Sequence, residues 1–289
     1  WYHTQNQAII VVGDIDADKM VERIKAIFSP IKAQENPAPY EFYPVPDNDE
    51  PIYIVDKDKE VAQVMMQLDF KQEPLPMELR GTQMEIVFGY INSIICKVVN
   101  ARLNELALKG DCPFTQAGVA YGNYWVSKTK SALSVSIMPK SGKDVEALQV
   151  VMQELERAKR FGFTATEVLR AKEEFISSLE TLYNNREKQK HNFYTQQYVR
   201  HFLEGNAIPD LETEFQLYKL FAQQLPVEAI SQVFQQYVAS TDKNFVLFAA
   251  YPEKEGQAVP TVEQMKGAVE AAKAAELTAY VDNVKNEPL

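Results

Sequence analysis

The sequence has 289 residues, 46% hydrophobic and 24% charged, which matches an ordinary globular chain of one large domain or two modest ones. A net charge of −10, with 30 basic residues scattered among 40 acidic ones, argues against nucleic acid as a partner, because that affinity comes mainly from neutralising phosphates. No run approaches the roughly 18 consecutive apolar residues of a bilayer span, so no membrane crossing is expected.

The opening Trp1-Tyr2-His3-Thr4-Gln5 has no Met and no basic region before an apolar stretch, so no signal peptide is read there. It resembles a cut end, any targeting region having been lost, and the compartment stays open. Gln7–Val12 is a β-branched apolar run stopped by Gly13-Asp14 and reads as a buried strand. Asp16 can cap a helix with Met20, Ile24, Ile27 and Phe28 on one face, ending before Pro30. From Lys32 to Asp49, four prolines and no period make a stiff, extended linker.

Ile52–Val55 and Val61–Phe70 read as strands, the second alternating Val64, Met66, Leu68 and Phe70 with more polar neighbours. A long helix is expected over Met77–Leu108, with Gly110 as its stop and Cys96 as a small buried hydrophobe. Cys112, in a Gly-Asp-Cys-Pro turn, is expected to be more open, and two cysteines make neither a disulfide scaffold nor a four-thiolate zinc site. Phe114–Trp125 and Ser131–Met138 form a half-buried antiparallel pair.

Val145–Arg160 is an amphipathic helix. Thr164 with Glu167 three residues later makes a capping box for another, expected to reach Leu203 with a stripe of Leu169, Phe175, Leu179, Leu182, Phe193, Tyr194, Tyr198 and Phe202. Helices over 210–223 and 227–238, a closing strand Asn244–Tyr251 and an Ala-rich tail helix Thr261–Asn283 complete the chain. The strand-turn-helix order at residues 6–13 repeats at 244–251, which suggests the end of one domain followed by a second like it.

Three ordered motifs carry a family resemblance. Ile10-Val11-Val12-Gly13-Asp14-Ile15-Asp16 resembles the strand and turn that close the first, zinc-bearing domain of insulinase/pitrilysin metallopeptidases. Asn100-Ala101-Arg102-Leu103-Asn104-Glu105-Leu106 with Pro113-Phe114 resembles a signature of their second domain, as does Phe161-Gly162-Phe163-Thr164 with Glu167. The resemblance implies an α+β fold, an antiparallel-rich mixed sheet backed by several helices, preceded by the closing strand and helix of a similar domain. It divides the chain into the end of a preceding peptidase-like domain (1–31), a linker (32–50), an inactive peptidase-like domain (51–252) and a tail toward the other half (253–289). The expected function is a non-catalytic structural and substrate-chamber domain of a zinc-dependent metalloendopeptidase. Its partners would be the zinc-bearing domain, the other half of the enzyme and peptide substrates. An assembly or binding protein on the same fold is the alternative.

The zinc chemistry of that family needs H-x-x-E-H, two ligands on one helix face with Glu as base. The three histidines, His3, His191 and His201, include no pair four apart, so no cofactor is expected in this chain, with zinc in the parent enzyme. His201 and Glu204 come nearest, but Gly205 stands where the second His should be, and they read better as a helix end. No G-x-S-x-G, G-x-x-x-x-G-K-S/T or G-x-G-x-x-G occurs, so nucleophile-elbow, phosphate-loop and dinucleotide chemistry lack their glycines. No catalytic or metal residue is nominated. Tyr121, Tyr124 and Trp125 are the candidate peptide-binding residues, with filling between sheet and helices as the plainer role. Arg102 and Glu105, three apart, are expected to form a local helix ion pair.

Overall fold

The computed structural model describes residues 3–39, 41–256 and 258–283. Trp1, Tyr2 and the last six residues of the expected tail lie outside them. Helix α1 (Ala17–Phe28) precedes strands β1 (Ile52–Asp58) and β2 (Met65–Gln72), helix α2 (Gln83–Ala107), and strands β3 (Phe114–Asn123) and β4 (Ser131–Pro139). Helices α3 (Asp144–Phe161), α4 (Ala165–Asn184), α5 (His191–Glu204), α6 (Leu211–Gln224) and α7 (Val227–Tyr237) follow, then β5 (Phe245–Pro252) and α8 (Val262–Ala274).

The five strands form one mixed sheet in the order β1-β5-β2-β4-β3, parallel only between β1 and β5. Period-two alternation decides its faces. Met66, Leu68 and Phe70 of β2 and Leu133, Val135 and Ile137 of β4 join a buried cluster with Ile94 and Val98 of α2, Leu148 and Val151 of α3, Phe234 of α7 and Val269 of α8. Each fully buried side chain of this kind contributes about 1.5–3 kcal/mol of transfer free energy. Helix α2 is long and apolar enough to cross a membrane by length and composition, but its Tyr90, Ile94, Ile95, Val98, Val99 and Leu103 are spent on this core.

The Pro-rich stretch before β1 carries no helix or strand among its described residues, and its end is pinned to the sheet. Lys71 donates to the Pro46 carbonyl at 2.6 Å, and Lys130 pairs with Asp47 at 2.8 Å. The Lys130 ammonium holds the Asp47 carboxyl below the usual carboxylate range.

Several expectations fail for local reasons. Gln7–Val12 is not a strand: it pairs with no described strand, and Ile9 and Val11 stay 47% and 43% exposed. A lone strand cannot satisfy its main chain, whereas residues 245–252 succeed because β5 lies between β1 and β2. β2 begins at Met65, not Val61, because Asp58 closes a turn by accepting the Glu60 N–H at 2.7 Å. The helix expected from Met77 is a short 3-10 turn, Met77–Leu79. Gly81 at φ +72 then redirects the chain into α2, which Thr82 caps. Gly110 does not end α2, whose last residue is Ala107.

The helix expected to run to Leu203 breaks after Asn184. Asn185 turns its side-chain amide back to the Thr181 carbonyl, competing with the helix ladder, and α5 restarts at His191. Its expected core stripe holds only in part: Leu179 is buried and Phe175 packs against the core, but Leu169, Tyr198 and Phe202 are exposed, and Val168 and Ala171 are buried in the place of Leu169. The tail helix stops at Ala274, and residues 275–283 continue without regular structure. Cys112 is buried, not open.

The capping box forms as expected, with Thr164 and Glu167 bonding reciprocally. The turn into it depends on Gly162 at φ +71, where a Cβ would meet Ser231 Oγ at 3.2 Å. Gly162→Ala is therefore expected to lower stability by about 1–3 kcal/mol in urea unfolding, from backbone strain and that contact together.

Candidate functional site

The described histidines do not assemble a zinc site. His191 opens α5 and His201 lies in its last turn, about 15 Å apart along the axis at the helical rise. The Nδ1 of His201 faces the Asn206 carbonyl at 2.7 Å. Among the described residues, no three His, Cys, Asp or Glu side chains converge in a group that could hold a metal ion. These residues do not fit the zinc that the family resemblance implies.

The aromatic segment is split by the sheet. Tyr121 lies on the helix side, stacked on Tyr237 at 4.9 Å and edge-on to Phe88 at 5.5 Å, while Tyr237 donates its hydroxyl to Asn92. Trp125, held at φ +51 and 53% exposed, meets Phe248 edge-on at 5.9 Å. Phe248 is out of phase with buried Leu247 on β5, so Trp125 covers the opposite face, where Lys71 also approaches the Tyr124 ring at 5.9 Å. Tyr124 and Trp125 share a surface; Tyr121 does not.

Tyr121 borders a cleft of about 480 Å³ between α2 and β3, lined also by Arg80, Phe88, Cys96, Lys128 and Asn206. β3 is the edge of the sheet, and part of its edge is already occupied. The Val119 N–H donates to Asn100 Oδ1 at 2.7 Å, and Asn100 Nδ2 donates to the Val119 carbonyl at 3.0 Å. One side-chain amide thus pairs the edge as a neighbouring strand would, blunting it against indiscriminate pairing. Burial pushes the Cys96 thiol up to about 11, against a hydrogen bond from the Tyr121 backbone, so the thiol is a poor nucleophile at neutral pH.

The most strongly determined polar centre is one that residue spacing alone did not reveal. Arg102, 2% exposed, donates through Nε and Nη2 to both oxygens of Glu167 at 2.6 and 2.9 Å. It also donates to Glu154 and to the Gly162 carbonyl, each at 3.2 Å. Phe163 and Tyr280 place their rings 5.5 and 4.3 Å from the guanidinium. Burial opposes the charged guanidinium, but the Glu167 and Glu154 contacts outweigh it and raise its pKa. The expected Arg102–Glu105 pair does not form. Arg102 lies on the buried face of α2, where a bidentate carboxylate outcompetes a surface neighbour, and Glu105 accepts instead from the Tyr280 hydroxyl at 2.8 Å.

A family model described as the peptidase M16 inactive domain matches residues 1–175. The chain belongs to that family. Two curated relatives are each 23% identical: a "Zinc protease PQQL-like" of Arabidopsis thaliana over 233 residues and the "Probable zinc protease PqqL" of Escherichia coli over 245. They align with 80% and 84% of this chain, which spans only 21% and 26% of their lengths. The fold resembles the crystal structure of the periplasmic protease PqqL from Escherichia coli, with a TM-score of 0.81 at 18% identity. That match covers 96% of this chain and 30% of the other. The separately solved first half of that protease gives 0.79 at 17% identity, covering 93% and 56%. The chain is thus an inactive-type M16 domain from a family of zinc proteases, with the α/β architecture of its relatives.

In this M16 domain, Arg102→Met would leave the buried Glu167 carboxylate without its cation, Glu154 keeping Arg157, and is expected to cost about 3–5 kcal/mol in chemical unfolding. Arg102→Lys should recover little of it, because an ammonium cannot reproduce the bidentate fork.

Proposed function

We propose that this chain is a non-catalytic substrate-chamber domain of a zinc-dependent metalloendopeptidase. Zinc is held by a separate zinc-bearing domain, and the other half of the enzyme closes over the peptide. In this reading residues 1–31 end a preceding peptidase-like domain, 51–252 form the inactive domain, and 253–289 lead onward. The observation that carries it is an M16 inactive-domain match on a chain whose own histidines cannot form the zinc site.

The β3 edge beyond the Asn100 clamp supports a role in holding peptide. Past Tyr121, whose backbone already meets the Cys96 thiol, an extended segment would add at the Gly122–Asn123 end of β3, bonding main chain to main chain. The adjoining cleft would take a side chain, and Lys128 borders it with a cationic group. Tyr124 and exposed Trp125, at the hairpin end, would offer aromatic surface on the other face.

Fluorescence anisotropy with a labelled, unstructured peptide tests this reading. The chain should bind the peptide without cleaving it, and Trp125→Ala should weaken binding by about tenfold, roughly 1.4 kcal/mol, at unchanged thermal stability. No binding, or binding indifferent to Trp125 and Lys128 substitutions, would contradict the chamber role and favour an assembly protein on the same fold.

A further inference from the structure

The segment after α8 has no regular structure, yet side chains from three helices hold it. Arg160 of α3 donates to the Ala275 carbonyl at 2.8 Å, and Arg157 donates to that of Thr278. Tyr280 lays its ring 4.3 Å from the Arg102 guanidinium of α2 and donates its hydroxyl to Glu105. Asp282 accepts from Arg170 of α4 at 2.5 Å and from Thr166. Every one of these helix side chains lies on or beside an element that also touches the Arg102–Glu154–Glu167 centre.

We infer that residues 275–283 are a detachable strap that seals the Arg102 ionic centre. Two features separate the strap from the body it closes. Its contacts are mostly polar, and Val281 is 68% exposed, so its docking rests on little apolar burial. Arg102, in contrast, lies near two aromatic rings, Phe163 of the body and Tyr280 of the strap. Undocking removes the Tyr280 ring and opens the guanidinium to water, which weakens a bidentate pair whose strength depends on its dry surroundings. Glu167 is also the third residue of α4 and half of its capping box with Thr164, so hydration at Arg102 reaches the first turn of that helix. A load on the chain at residue 283 would reach the ionic centre through Asp282 and Tyr280. The strap is therefore a conformational element that couples the path of the chain after α8 to the rigidity of the 162–167 corner.

Hydrogen-exchange mass spectrometry on the full chain and its variants tests the inference. Tyr280→Ala should accelerate exchange by about tenfold or more in peptides covering 98–107 and 163–170, leaving β5 unchanged. Tyr280→Phe keeps the ring and loses only the hydroxyl bond to Glu105, so it should stay within about threefold of wild type. If Tyr280→Ala proves too unstable, Asp282→Asn loosens the other end of the strap and should give the same local pattern. Exchange around Arg102 and Glu167 that does not change, or that rises equally in β5, would overturn the strap.

Discussion

A guanidinium cannot be left buried without partners, and the placement of Arg102 constrains much of the structure around it. Its fork must meet a carboxylate in the plane of its donors, so Glu167 has to stand at the third position of α4. For that, α3 must end and the chain must turn at Gly162, whose carbonyl is itself a partner of the guanidinium. Glu154 completes the centre from α3 and is shared with Arg157. Helices α2, α3 and α4 are in this way indexed to one another by a single cation. The hydrophobic core supplies most of the stabilising free energy, but it tolerates small slips between helices that a bidentate pair does not.

The same constraint ties the helices of this M16 domain together through its own side chains. A zinc site ties helices together through ligands, and here an arginine with two glutamates performs a comparable crosslinking. The sheet edge is managed in a similar spirit, with Asn100 on α2 taking both main-chain groups of Val119. What stays open is the end of β3 beside the cleft, together with the aromatic surface of Trp125 on the opposite face.

Much of the fold was legible because its signals are local. The Thr164–Glu167 box, the Asp16 cap, the alternation in β2 and β4 and the β3–β4 hairpin all appear in sequence windows of a few residues. The misses share a different cause. Whether Gln7–Val12 becomes a strand depends on a neighbour to pair with, which no window of sequence contains. The break after Asn184 has no Pro or Gly to mark it and comes from a side-chain amide competing with the ladder. Arg102 and Glu167 lie 65 residues apart, so the capping role of Glu167 could be read while its second role could not. Tyr280 was hidden by the expectation of a continuous tail helix.

The proposed function requires that this chain hold no catalytic metal of its own. Elemental analysis for zinc on the rigorously purified chain, paired with a fluorogenic-peptide cleavage assay, tests it most directly. Substoichiometric zinc and no cleavage are the expected result. One tightly held zinc per chain with chelator-sensitive cleavage would contradict it and would point to His191, His201 and Glu204 as the residues to substitute.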